Sequence, residues 1–355
     1  KRYSFSNFKS IFQDKFSPIK DLQVSIEKST GKSISDDKDV YIAEELHYGK
    51  AENDLRKVED DLIKPLTATM TKNKVTSEDL DMYLIAMHAA ERNAHIANIN
   101  PSLLDGGSGM TNEHAERVIA SFKESGKLKG LEAAAKHVYK ITNKRREILK
   151  ESGLEDSGSI DLWEANFKNY VPLKGYADDS EGNSVPRTGK GFDIRGKESM
   201  RALGRRSLSE SPTGHAIKDL TESIIRSRKN EVGKTMLKLV EDNPNKDVWE
   251  VFTEGRPDTE RRLVKGEVKD EQPISMRDRK DDYLAVKRDG EVHYIKFKDK
   301  DKLLIKAMRN MGAQEMNTLT KVMSSVTRWL SMVNTSLNPE FTVTNFSRDI
   351  QTALF

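Results

Sequence analysis

The chain has 355 residues, 35% hydrophobic and 33% charged, with 60 Lys and Arg against 57 Asp and Glu and a net charge of +3. That length can hold two domains with a substantial core, and the large charged share suits helices with much solvated surface better than a compact enzyme. The near-balanced charge excludes a global nucleic-acid signature, and the absence of cysteine excludes disulfides and thiolate metal sites.

Residues 1–75 read as an N-terminal helical segment. Phe5, Phe8, Phe12 and Phe16 follow a three-to-four spacing that Pro18 interrupts, and a long acidic helix is expected over 39–70 with a bend near Pro65. Residues 76–245 read as a helical core. Within it, Tyr83, Met87, Ala90, Ala94 and Ala97 form one apolar stripe, Pro101 stops the helix, and Gly106, Gly107 and Gly109 supply a sharp reversal. Thr111 or Asn112 can cap the next helix, so 82–118 is predicted to be an antiparallel helical hairpin whose turn includes 105–109. A third helix runs through Leu131, Ala134, Val138, Ile141 and Ile148. Residues 160–195 look irregular, anchored by Trp163, Phe167, Tyr170 and Val171, and another long helix fits 215–242, stopped by Asn243 and Pro244.

The period then changes. Residues 246–299 read as a small β subdomain: short strands are expected at 248–252, 262–264 and 283–287, and Asp289-Gly290 makes a hairpin turn into 292–297. Residues 300–355 return to helix through Met323 and Leu330, with a capped segment beginning at Asn338-Pro339. Trp329, Met332 and Val333 form one amphipathic face, and Phe341, Val343, Phe346 and Leu354 are apolar near the end. The predicted class is therefore mainly α, an elongated multi-helix architecture with a small antiparallel β insertion around residues 248–298. No apolar run of about 18 residues suggests a spanning helix, and no secretory leader is recognised. The start at Lys1 and the pattern broken off at Phe355 lead to the expectation of a piece of a larger polypeptide.

Few residues carry recognisable chemistry. His88, Glu91 and His95 can share a helix face, but three ligands from one straight helix converge poorly on a tetrahedral ion, so packing is the expected role and no metal or other cofactor is expected. Glu44-x-x-His47 is half of a carboxylate-bridged di-metal motif without its second copy. Gly189-Lys190-Gly191 lacks the remaining glycine and the Ser or Thr of a phosphate loop, and no nucleophile elbow, zincin motif or dinucleotide fingerprint occurs. Residues 183–234 are the electrostatic exception, with 12 Lys and Arg against 6 Asp and Glu. Arg201, Arg205, Arg206, Arg226, Arg228 and Lys229 are the candidates there for contact with nucleic acid or an acidic partner, in the absence of interleaved aromatics other than Phe192. Internal ion pairs on a solvated helix are the competing explanation.

Four ordered blocks resemble a known family. They are Tyr83 to Asn93 continuing through Gly106 to Thr111, Ala202 to Ser207 with the helix holding Arg228 to Gly233, the strand pair around Arg288-Asp289-Gly290, and Asn338 to Asp349. In that order, across roughly 80–355, they resemble the large helical domain of phage polyvalent proteins. These are giant multidomain polypeptides packaged in virions and ejected with the DNA, in which related domains stand beside transglycosylase, polymerase, helicase or antirestriction modules. Residues 1–75 fall outside the match.

The resemblance implies a delivery protein with no catalytic residues here. It implies a virion location and then the host envelope or cytoplasm, with copies of itself and other ejection proteins as partners and DNA or the host envelope as further contacts. No small-molecule substrate is evident. His88, Glu91, Arg92, Asn93, Arg205, Asn230, Asn345, Arg348 and Asp349 match the family blocks without an assigned role. The expected function is structural: a segment of a virion protein ejected with the genome, assembling in the virion interior or in a DNA-delivery conduit. The low apolar content suits a chain that passes a narrow tail and refolds. Sequence-blind nucleic-acid handling is the alternative, and an enzyme module such as a glycan-cleaving domain the third.

Overall fold

The computed structural model describes residues 16–175, 191–199, 202–253, 259–264, 267–273, 283–298 and 302–309. It is mainly helical with a small antiparallel sheet, as the periodicity predicts. The phenylalanine run before Phe16, the helix expected beyond Arg309 with its Trp329 face, and the block at 338–349 lie outside the described residues.

The first half is a stack of helices: α1 (Ser17–Thr30), α2 (Val40–Val58), α3 (Lys64–Asn73), α4 (Ser77–Ile99), α5 (Asn112–Glu124), α6 (Leu128–Glu151) and α7 (Ser157–Asn166). The Asp39 side chain caps α2 by accepting from Ile42 N, so the acidic helix begins where the sequence places it. Its expected bend near Pro65 takes the form of a π turn, Glu59–Ile63, just ahead of α3. Pro65 has no N–H and crowds the carbonyl four residues back, and the wider turn takes up that mismatch.

The hairpin is present. α4 ends at Ile99, two residues before Pro101, and Thr111 caps α5 by accepting from His114 N. The two helices run antiparallel: Ala89, Met110 and Ala115 share a cluster near the turn, and Tyr83 meets Phe122 edge-on at 6.4 Å further away. One expectation is corrected. The stretch from 160 read as irregular, but α7 occupies Ser157–Asn166, because Asp156 accepts from Ser159 N and starts a helix there.

The longest element is α8, Pro212–Asp242, 31 residues and so about 46 Å long at 1.5 Å per residue. Its two halves serve different cores. Ala216, Ile217, Leu220 and Ile224 pack with Leu55, Leu66, Leu84, Leu131 and Val138 of the helical stack. Val232, Met236, Leu239 and Val240 pack with Phe16 and Ile19 of α1, with Trp249, Val286 and Ile295 of the sheet, and with Ile305 and Met308 of α9 (Leu303–Arg309). Apolar contacts thus run across both positions, 75 and 245, at which composition divides the chain.

The sheet has the order β1-β5-β4, from β1 (Trp249–Thr253), β4 (Tyr283–Arg288) and β5 (Glu291–Phe297), all antiparallel. The β4–β5 turn has Asp289 and Gly290 both at positive φ, 54° and 80°, as a type I′ hairpin requires. A separate antiparallel pair joins β2 (Thr259–Val264) to β3 (Glu267–Pro273). β3 was not expected, since Glu267, Lys269, Asp270 and Glu271 give it no apolar alternation.

Candidate functional site

Among the described residues, several of those in the four blocks sit at joints between elements. Asn93, 1% exposed on α4, has Asp105 Oδ1, Met110 O and Asn112 Oδ1 each 2.9 Å from Nδ2, sharing its two hydrogens, and accepts from Ser108 N at 2.7 Å. Asp105 in turn accepts from Asn112 N at the start of α5. This one amide fixes the glycine turn. The block at 202–207 lies on the same turn: Arg205 N donates to Gly107 O at 3.0 Å, and Ser108 and Arg205 form a parallel bridge. Gly109, at φ +89°, has no room for a side chain, because a Cβ there would fall 2.0 Å from Ser207 O. The Arg205 guanidinium folds back onto its own segment, donating to Ser207 O at 2.7 Å and Leu208 O at 2.8 Å.

A second joint closes the open edge of the sheet. Asn230 of α8 pairs with both backbone groups of Lys287, donating to its carbonyl at 2.7 Å and accepting from its N–H at 2.9 Å. Asp193 accepts from Ala285 N, and Ile194 N donates to Ala285 O, both at 2.8 Å. Arg309 donates to Tyr283 O at 2.7 Å. Both outward backbone groups of Ala285 and Lys287 and the carbonyl of Tyr283 are therefore satisfied on the side away from β5, where an open edge would invite another strand.

The basic candidates among the described residues do not form one surface. Arg201 lies outside the described residues. Arg226 binds Glu198, whose side chain is fully buried, at 2.6 Å, and Lys287 reaches the same carboxylate oxygen at 3.2 Å. Burial outweighs that carboxylate's pull and lowers the pKa of Lys287. Arg228 binds Asp54 at 2.6 Å and Glu231 at 2.8 Å, on the wall of a groove of about 1130 Å³ between α2, α6 and α8. Lys229 is buried, which lowers its pKa to about 8, with the Arg226 charge adding to the effect. Arg206 is exposed. The ion-pair explanation of the segment thus describes Arg226 and Arg228, and Arg205 is held by carbonyl groups.

His88, Glu91 and His95 do share a face, and it is covered by the turn after α7. His88 is fully buried between Phe167 and Tyr170, at 5.5 and 5.6 Å, and His95 meets Phe167 at 5.3 Å. Glu91 accepts from the N–H groups of Lys168 and Asn169, both at 3.1 Å. Burial works against its carboxylate, but the hydrogen bonds from His88 and from those N–H groups prevail and lower its pKa. Among the described residues no group of three or more His, Asp or Glu side chains is arranged to hold a metal ion.

Beside this turn lies a cluster that sequence reasoning missed. Arg145 and Arg146 of α6 are each 5% exposed, and Arg92 of α4 is half-buried. Both α6 guanidiniums lie over the Trp163 ring, at 5.5 and 6.0 Å, and Arg146 also lies 6.0 Å from Tyr170. Burial pushes the tyrosine's pKa up, while Arg145, Arg92 and Arg146 pull it down. A signal was present: positions 145 and 146 continue the apolar stripe of Val138, Ile141 and Leu149 at helical spacing, so two arginines stand where the pattern asks for core. Asn345, Arg348 and Asp349, the remaining family-block residues, lie outside the described residues.

No family model, no curated protein and no solved structure matches this chain.

Proposed function

We propose that this chain is a structural segment of a phage virion protein ejected with the genome, one that assembles in the virion interior or in a conduit for DNA across the host envelope. The support is the ordered resemblance of its four blocks to polyvalent proteins, together with what three of them do in the fold. Asn93, Arg205, Asn230 and the Asp289-Gly290 turn hold helices, turn and strand edge to one another. Such residues specify a shape, and a shape is what an assembly protein contributes.

The alternative, sequence-blind nucleic-acid handling, has less support: of the six basic candidates, Arg226 and Arg228 have acidic partners and Lys229 is buried, leaving Arg206 as the exposed one among the described residues. The test is mass spectrometry of purified, nuclease-treated particles before and after genome release. The chain should be present in full particles and depleted from emptied ones. Its absence from full particles would sink the reading, and its retention after release would sink the ejection step.

A further inference from the structure

We infer that Arg92, Arg145 and Arg146, walled by Trp163 and Tyr170, form a binding site for a small tetrahedral oxyanion of the phosphate class. The first reason is uncompensated charge. Arg145 spends its donors on neutral acceptors, Ser223 Oγ at 3.3 Å and the Glu198 carbonyl at 3.1 Å. Arg146 donates from Nη2 to the Asn143 side chain, while its Nε and Nη1 are buried without a hydrogen-bond partner. The Nε of Arg92 is in the same condition. Glu164 lies 3.6 Å from Arg146 Nε with its own side chain half exposed, and the buried Asp219, whose charge also acts on Tyr170, is paired with Lys174. Among the described residues, Glu164 is thus the one carboxylate in an ion pair with these three guanidiniums.

The second reason is geometry. Buried charge is retained where it is paired and hydrogen-bonded, and the aromatic faces of Trp163 and Tyr170 offset only part of the cost of burying a cation. Arg145 and Arg146 of α6 lie over the Trp163 ring at 5.5 and 6.0 Å, Arg146 lies 6.0 Å from Tyr170, and Arg92 of α4 brings a third charge to the neighbourhood of that tyrosine. Planar guanidinium groups approaching from different sides suit a ligand that presents several oxygens in different directions, as a phosphate does and a lone carboxylate does not. The burial of Arg145 and Arg146 keeps the backbone of a duplex away from them, so the ligand proposed is a small anion. Binding to the folded state alone then stabilises it by mass action.

Inorganic phosphate is the probe, titrated into the full chain in a phosphate-free buffer at constant ionic strength while the melting temperature is followed. Wild type should rise and saturate, with no comparable rise in chloride. Arg146→Met should lose that response and, without phosphate, melt no lower than wild type, because it removes an uncompensated buried cation. Arg92→Gln should shift the midpoint of the phosphate response at least tenfold. Arg117→Gln, at an exposed pair with Glu113, should respond like wild type. A flat wild-type titration, or an undiminished response in Arg146→Met, overturns the site. So does an Arg146→Met that melts far below wild type without phosphate, since the aromatic faces would then suffice to hold the arginine. Displacement of phosphate by an oligonucleotide lacking terminal phosphates overturns the assignment to a small anion. These outcomes are independent of whether the chain is found in virions.

Discussion

The two halves of α8 bury similar side chains by different means, and the polar groups around them differ accordingly. Its N-terminal half meets other helices, whose backbone groups are already satisfied internally, so the polar work falls on the turns: Asn93 holds the glycine turn and Asp81 accepts from Thr213 N at the start of α8 itself. Its C-terminal half meets an edge strand, whose backbone groups point outward in need of partners, and there Asn230 and Asp193 act as a surrogate strand. Between the halves stands the trio Arg226, Glu198 and Lys287, of which Glu198 and Lys287 are buried and Arg226 largely so. A helical interface needs its loops pinned, whereas a sheet interface needs its edge completed.

The strongest way to break this arrangement is at the trio. Glu198→Ala leaves the buried Lys287 and the largely buried Arg226 without their shared carboxylate, and the expected loss is about 3–5 kcal/mol of unfolding free energy. Replacing all three by apolar residues of similar size should recover most of that loss, which denaturant titration can read. An Ala variant within 1 kcal/mol of wild type would show that water reaches the pair.

Next in size is a pH effect on the helical side. Burial lowers the pKa of His215 to about 4, aided by the Lys174 charge. Well above pH 6.5 neither folded nor unfolded imidazole is charged, so the group contributes no pH dependence there. Between about 6.5 and 4 the unfolded chain takes up a proton that the folded chain refuses, and stability falls as pH falls, by about 3 kcal/mol over the window. Unfolding titrations at pH 7, 5.5 and 4.5 on wild type and His215→Gln isolate this share. Parallel profiles would contradict it.

The two asparagines sharpen the comparison. Asn93→Leu and Asn230→Leu should each cost about 2 kcal/mol, because each strands buried backbone groups. Hydrogen exchange should separate them: Asn93→Leu speeds exchange at Ser108, and Asn230→Leu speeds it at Lys287. If both variants loosen both sites, the two joints form one cooperative unit.

What was legible in the chain follows the same division. The hairpin could be read because Pro101, the glycines and Thr111 act locally, and the β4–β5 turn because Asp289 and Gly290 do. α7 was missed because its start rests on Asp156 alone. β3 was missed because its charged residues give no alternation. The roles of Asn93 and Asn230 were unreadable for another reason: an amide shows nothing of its partners, and Lys287 is 57 residues from Asn230. For the arginine cluster the local signal existed, but its meaning depends on Trp163 and Tyr170, which the fold alone brings near.

The smallest expected effect separates exposed from paired charge in the basic segment. Arg228→Gln breaks half-exposed contacts to Asp54 and Glu231 and should cost about 0.5–1 kcal/mol, given how strongly water screens such pairs. Arg206→Gln should leave the melting temperature unchanged, since Arg206 is exposed. Their order reverses if the segment meets DNA. A phosphate contact made by Arg206 would flatten the slope of log affinity against log salt by about one when it is removed, equally for all sequences. Arg228, with its donors on two carboxylates, should leave that slope as it was. Fluorescence anisotropy with a labelled duplex over a salt series reads both variants, and equal slopes for wild type and Arg206→Gln would remove Arg206 from any DNA contact.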